Sequence, residues 1–215
     1  MKVIPREARR ITYSSEIRSL KLLPFDKRQM AVIIGTILGD GCLMRNWSKT
    51  NYRLQIRQSA DQKDYLMWKY GILKQWILSE PKLYIRTNSY TARTISHPQL
   101  TDIWKKFYPE GKKIIPKDIS DLIRDPLTLA VWFMDDGNIR KNKEGLLMSY
   151  DINTQSFTKK ENERLKNVLC NLFGLHTTIN LNNGYYRLHV SAYDKFVFRD
   201  LVKEFIVPSM RYKLG

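Results

Sequence analysis

The sequence predicts an α+β fold made of two similar halves, each running helix, two strands, helix, two strands, helix. Three observations carry this. Residues 33–41 (IIGTILGDG) and 129–137 (LAVWFMDDG) each close a short apolar, helix-compatible run with an acid and a glycine. The order of candidate helices and hairpins after the first run recurs after the second, as expected of a duplicated unit. Finally, Lys113 and Lys213 follow Asp40 and Asp136 at nearly the same spacing.

In the first half, Asp26 can cap a helix to Leu38 whose apolar face holds Met30, Ile33, Ile34, Ile37 and Leu38. Gly35 and Gly39 lie four apart in it. Glycine costs about 1 kcal/mol against alanine inside a helix, so the pair points to close approach of another backbone, or else to a buried core helix that tolerates both. Strand candidates 42–46 and 52–58 flank a polar turn at 47–51. The second alternates, with Arg53, Gln55 and Arg57 on one face and Leu54, Ile56 and Gln58 on the other. Two arginines and a glutamine on one strand face suit phosphates and base edges, and equally a solvated sheet face. Residues 61–78 read as a helix with Tyr65, Trp68, Ile72, Leu73, Trp76 and Ile77 in the core, closed by Pro81. A hairpin of 83–87 and 90–96 turns at Asn88-Ser89, with Lys82, Arg86 and Arg93 as polar-face residues. Residues 98–107 form a short helix leading into the basic loop 111–116.

The second half repeats the pattern: a helix at 126–136, a hairpin of 138–141 and 146–154, and a helix opened by the capping box of Thr158 and Glu161. Strands 177–181 and 185–191 flank Asn182-Asn183-Gly184, a strong hairpin turn, before a helix at 194–205 and a basic tail at 208–214. Halves this alike are expected to pack about a pseudo-twofold axis through their first helices, where Asp40 and Asp136 meet. An acid at a helix C-terminus adds to the negative end of the macrodipole, so something positive must offset both. A divalent metal between the two helix ends does so.

Composition narrows the partner. The chain has 215 residues, 37 Lys plus Arg against 21 Asp plus Glu, a formal charge of +16 and a pI near 9.8, which calls for a polyanion if the charge lies on one face. Nucleic acid leads, an anionic membrane surface competes, and solubility alone is the bland alternative. No apolar run approaches the roughly 20 residues of a spanning helix, so no membrane association is expected. Cys42 and Cys170, far apart in sequence, fit a reducing intracellular compartment. His97, His176 and His189 lack metal-ligand spacing and read as structural or DNA-facing. Residues 1–24 read as a basic extension with one short helix that can lie against DNA.

The two nonapeptides, together with NTQSFT at 153–158, resemble the LAGLIDADG homing endonucleases, and specifically their single-chain, intron-encoded members with two motif copies. The resemblance covers the chain from about Phe25 to Leu214. It implies repeats at 25–120 and 121–215 that form a saddle of two antiparallel four-stranded sheets around a central two-helix interface. It further implies a monomer that cuts both strands of a long, asymmetric double-stranded DNA target by phosphodiester hydrolysis. Asp40 and Asp136 would bind Mg²⁺ with the backbone carbonyls of Gly39 and Asp135, Mn²⁺ serving as a substitute and Ca²⁺ as a non-catalytic occupant. Lys113 and Lys213 would lie near the scissile phosphates, with Lys112 the alternative in the first half. Gln58 and Asn180 are the water-positioning candidates. The DNA-binding candidates are Arg53, Gln55, Arg57, Arg86 and Arg93 in one half and Asn180, Asn182, Arg187 and His189 in the other. The chain departs from the pattern at Asp135, where a small residue is usual, and at Val131, which stands where the first motif has Gly35. A less symmetric helix contact is therefore expected. The competing reading is an RNA maturase that binds its host intron RNA and assists splicing without cutting DNA. The presence of both acids and both lysines favours cleavage. A transcription regulator on a degenerate copy of the fold would lack the acids, and an intein would need splicing blocks for which two repeats leave no room.

Overall fold

The computed structural model describes residues 14–46 and 51–215, and at Asn182 the backbone alone. Most of the basic extension and the turn at 47–50 lie outside the described residues. The first half comprises α1 (Ser15–Leu22), α2 (Lys27–Leu38), β1 (Cys42–Arg45), β2 (Tyr52–Ser59), α3 (Lys63–Leu73), β3 (Lys82–Tyr84), β4 (Ser89–Arg93), α4 (Pro98–Phe107) and the short α5 (Ile119–Leu122). The second comprises α6 (Pro126–Asp136), β5 (Gly137–Lys141), β6 (Leu147–Asn153), α7 (Lys159–Phe173), β7 (Thr177–Asn182), β8 (Tyr185–Val190) and α8 (Lys195–Val202). The sheets have the same antiparallel order, β1-β2-β4-β3 and β5-β6-β8-β7, and α2 packs on α6 between them. The fold is the α+β saddle the sequence predicts.

Local chemistry sets the helix starts. Asp26 and Gln29 form a reciprocal capping box on α2, Asp125 caps α6 with Pro126 in its first turn, and Thr158 and Glu161 box α7. Residues Ala31–Leu38 of α2 and Leu127–Met134 of α6 are buried on every side, as a helix enclosed by two sheets and a second helix must be. In β2 the inward residues Tyr52, Leu54, Ile56 and Gln58 are buried, while Arg53, Gln55 and Arg57 take the other face at least partly exposed. Glu161 also accepts from the amide of Ile115 at 2.8 Å, and the guanidinium of Arg164 donates to its carbonyl, tying the linker to the second half.

Two local expectations change, and a third gains detail. The helix read over 61–78 is regular only through α3, flanked by 3-10 turns at Ala60–Gln62 and Lys74–Trp76. The strand read over 83–87 shortens to β3, because the chain reverses through a 3-10 turn at Ile85–Thr87 into Asn88, whose φ of 41° is left-handed; Arg86 lies in that turn. The short helix of the extension, α1, docks on the first half. Ile17 is buried, the indole of Trp76 donates to Leu20 O at 3.3 Å, and Phe25 stacks tilted on Trp76 and His97.

Candidate active site

The α2–α6 contact sets the geometry. A Cβ on Gly35 would come within 2.6 Å of Thr128 O and 2.7 Å of Val131 Cβ, and one on Gly39 within 2.4 Å of Asp135 Cβ. The two glycines of α2 thus receive the two larger residues of α6, so the asymmetry at Val131 and Asp135 is a complementary fit of large residues into small notches. This close approach brings the ends of both helices, with Asp40 and Asp136, to one place between the sheets.

Each helix end carries its own lysine. Lys113 Nζ donates to Gly39 O at 2.9 Å, while Lys213 Nζ donates to Met134 O at 2.6 Å and Asp135 O at 3.3 Å. A cation on the last carbonyls offsets the macrodipole. Lys213 is buried and Lys113 half-buried, whereas Lys112 is exposed, so of the two first-half lysines Lys113 is the one directed at the helix end. The predicted carbonyl donors Gly39 and Asp135 both take an ammonium contact, although the shorter contact of Lys213 goes to Met134 O. Burial lowers the pKa of both lysines, and the three acids Asp40, Asp135 and Asp136 pull it back up.

The acids are strained in the opposite sense. Burial, then the charges of Asp40 and Asp135, pushes the Asp136 carboxyl up to about 7, against the lowering effect of Lys113 and Lys213. Desolvation, then Asp135, also raises Asp40, with Lys69, Gln58 and Lys213 pulling it down. Three acids and three lysines thus share one desolvated site, where burial more than net charge sets the direction of each shift.

Asp135 is the unforeseen part of the centre. Its side chain is 0% exposed and forms an ion pair at 2.7 Å with Lys69, also 0% exposed, which rises from α3 of the other half. Lys69 Nζ lies 4.3 Å from the centroid of the Tyr65 ring, and the Tyr65 hydroxyl donates to Val131 O at 3.1 Å. Gln58 Nε2 donates to Asp135 Oδ1 at 3.0 Å and to Asp40 Oδ2 at 3.4 Å, so this predicted water-positioning residue is held between two carboxylates. Two signals of Lys69 were available: a lysine four residues from both Tyr65 and Leu73 on the apolar face of a helix, and an unpaired acid at Asp135.

The polar sheet faces hold most of the DNA-binding candidates. Arg57 shares a cleft with Asp40 and Gln58. Arg53 has its Nε buried without a partner, and burial, then neighbouring Arg93, lowers its pKa, as expected of a guanidinium left without an anion. Arg93 Nε donates to Gln55 Oε1 at 2.7 Å. In the second sheet, Arg187 pairs across to Asn180 and Asn153, and His189 to Asp151 and Thr178. Asn180 lies exposed on edge strand β7, separated by β6 and β8 from β5, which continues from the end of α6. By strand register the counterpart of Gln58 is Thr154, which is buried and donates to Asn162. The backbone of Asn182 ends β7.

The donor set suits a hard divalent cation. Among the described residues no group of three or more His, Cys, Asp or Glu gathers to enclose a metal. Asp40 and Asp136 instead offer two carboxylates beside backbone carbonyls, the kind of open set in which Mg²⁺ keeps waters and shares substrate phosphates.

The sequence profile of the LAGLIDADG DNA endonuclease family matches residues 30–196. The chain is 31% identical over 196 residues to probable intron-encoded endonuclease 1 of Wickerhamomyces canadensis, covering 87% of this chain and 84% of that one. It is 28% identical over 204 residues to the cytochrome b mRNA maturase bI2 of Debaryomyces hansenii, covering 89% and 75%. Among solved structures, the homing endonuclease I-WcaI bound to its DNA recognition sequence superposes with a TM-score of 0.85 at 30% identity, covering 94% of this chain and 93% of that one.

Proposed function

Because the chain belongs to the LAGLIDADG DNA endonuclease family, we propose that it is a site-specific, metal-dependent endonuclease that hydrolyses both strands of a long asymmetric DNA target. One observation carries the reading: two carboxylates at paired helix ends, raised in pKa by burial and by neighbouring carboxylates, each accompanied by a lysine on the carbonyls of its own helix. A bound divalent ion, Mg²⁺ first with Mn²⁺ as a substitute and Ca²⁺ as a non-catalytic occupant, would offset the two acids and supply Lewis-acid stabilisation to the phosphoryl and leaving oxygens. Asp40 and Asp136, with Gly39 O and Asp135 O, are the groups to hold it. Lys113 and Lys213 stabilise negative charge on the scissile phosphates or polarise the attacking water. Gln58, held by Asp135 and Asp40, is placed to orient that water; in the second half the matching register position is Thr154, so Asn180 is left to the DNA-binding face.

The two polar sheet faces grip the duplex, strands entering the major groove and the basic surplus meeting phosphates. Arg53, Gln55, Arg57, Arg86 and Arg93 serve one half-site and Asn180, Asn182, Arg187 and His189 the other. Because the faces differ in sequence, the target is asymmetric and one chain suffices, so the protein acts as a monomer. Cys42 and Cys170 are both free, which suits a reducing intracellular compartment. No described helix is long and apolar enough to cross a membrane.

The likeness to the maturase bI2 keeps a second reading in view, in which the same surface binds intron RNA and assists splicing. Asp40→Asn separates the two. Loss of DNA cleavage with site-specific DNA binding kept or strengthened supports the endonuclease, because removing a carboxylate lessens repulsion of phosphate. Absence of specific DNA binding by the parent chain, with tight binding of structured intron RNA, supports the maturase.

A further inference from the structure

An acid on a face meant for DNA needs a reason, and Asp151 is such an acid. It lies on central strand β6, on the polar face of the second sheet, with its side chain 11% exposed. Its Oδ1 accepts from His189 Nδ1 at 2.7 Å, and Arg140 Nε lies 3.7 Å from Oδ2. In a chain of +16 that meets a polyanion, a carboxylate here repels phosphate and gains only what its partners return.

Strand register shows that the first half has the same device in other atoms. Asn138, two residues after Asp136, pairs with Asp151, which pairs with His189. Cys42, two residues after Asp40, pairs with Gln55, which pairs with Arg93. Each half thus puts an acceptor on its central strand and a donor on the next, at the same distance in register from its acid. Gln55 Oε1 takes Arg93 Nε and Asp151 takes His189 Nδ1, and among the described residues neither the terminal guanidinium nitrogens of Arg93 nor His189 Nε2 has a hydrogen-bond partner.

We propose that Asp151 is a specificity-determining residue. It holds the His189 ring so that the Nε2 edge reads one base pair in the major groove, as Gln55 holds Arg93 for the mirror position in the other half-site. A freely rotating imidazole offers either nitrogen to any base edge. One anchored through Nδ1 presents a single nitrogen in a fixed direction, and a fixed direction is what discriminates among base edges. The acid is tolerated because Arg140 and His189 shield it, and its residual charge penalises non-cognate DNA that cannot reach Nε2. The inference rests on the endonuclease reading, since it takes the sheet face as the DNA-reading surface.

The test is a binding and cleavage profile over all single-base variants of the target for the parent, Asp151→Ala, Asp151→Asn and His189→Ala. Asp151→Ala is expected to lose about 5- to 150-fold discrimination at one base pair, or at it and its neighbour, in a single half-site. At the same time it binds non-cognate DNA more tightly than the parent. His189→Ala relaxes the same position, and Asp151→Asn, whose amide oxygen still accepts from Nδ1, keeps most of the preference. A merely structural Asp151 would weaken all targets together with thermal stability and shift no position, which overturns the inference. A profile unchanged in Asp151→Ala and His189→Ala overturns it as well. A parent chain that shows no sequence preference fails the endonuclease reading itself, a distinct outcome.

Discussion

Replacing Lys69 by methionine tests the centre's electrostatics without touching an acid or a lysine assigned to the chemistry. The ammonium is 0% exposed, and its removal leaves the equally buried Asp135 carboxylate with Gln58 Nε2 at 3.0 Å and the Asp40 amide at 3.4 Å as its remaining donors. Two further acids, Asp40 and Asp136, stand nearby and worsen the imbalance. Breaking a buried pair from one side costs about 3–5 kcal/mol because an uncompensated charge is stranded, and the crowding of acids argues for the upper part of that range. With a urea dependence of about 2–3 kcal/mol per molar for a chain of this size, the unfolding midpoint should fall by about 1–2 M. Adding Asp135→Leu removes the stranded charge and should return most of the loss, since apolar replacement of a buried pair is often neutral or stabilising. Equilibrium urea unfolding of parent, single and double variants at neutral pH reads both numbers. A loss below about 1 kcal/mol in Lys69→Met, or a double variant no more stable than the single, would refute a tight, desolvated pair.

Further outcomes follow from the same geometry. The folded pKa of Asp136, about 7, lies above its unfolded value, so between about pH 4 and 7 the folded state binds the extra proton. Metal-free protein should therefore lose stability as pH rises through that window, as urea unfolding in chelator would show, and divalent-metal affinity measured by calorimetry should fall below pH 7 as the proton competes. Gly35→Ala drives a methyl to within 2.6 Å of the Thr128 carbonyl and should cost about 1–3 kcal/mol of stability, with cleavage impaired beyond what the fraction unfolded explains. Lys213→Met removes the donor to Met134 O and Asp135 O and should slow single-turnover cleavage more than tenfold with affinity nearly unchanged. DNA affinity itself should drop by roughly 10³–10⁵ between 50 and 200 mM salt if about 6–10 phosphates are contacted, as fluorescence anisotropy would record.

The duplication was legible because periodicity and turn chemistry are local. The two nonapeptides, the Asp26 and Thr158 capping boxes and the alternation of Arg53, Gln55 and Arg57 each carry their signal within a few residues. What could not be read directly depends on contacts across the chain. Lys69 finds Asp135 from another helix in the other half, and only the folded structure shows that the odd acid of the second motif has a buried partner. Gln58 was identifiable as inward-facing, but its bridge between Asp135 and Asp40 needs the α2–α6 contact. Sequence spacing alone is ambiguous between neighbouring strands and points to Asn180 as the counterpart of Gln58; register assigns that position to Thr154. The Asp151–His189 pair leaves no local signal for the same reason, since β6 and β8 meet only after the α7 excursion.

Asp40 and Asp136, on the proposed function, form one metal-dependent centre that cuts both strands of a specific DNA. The most direct test of this is digestion of a randomised plasmid library by the purified protein with Mg²⁺, sequencing the ends, with Asp136→Asn in parallel. The predicted result is one long asymmetric site cut on both strands by the parent and by neither the variant nor the parent in chelator. Recovery of no site with the parent, or equal cutting by Asp136→Asn, would contradict it.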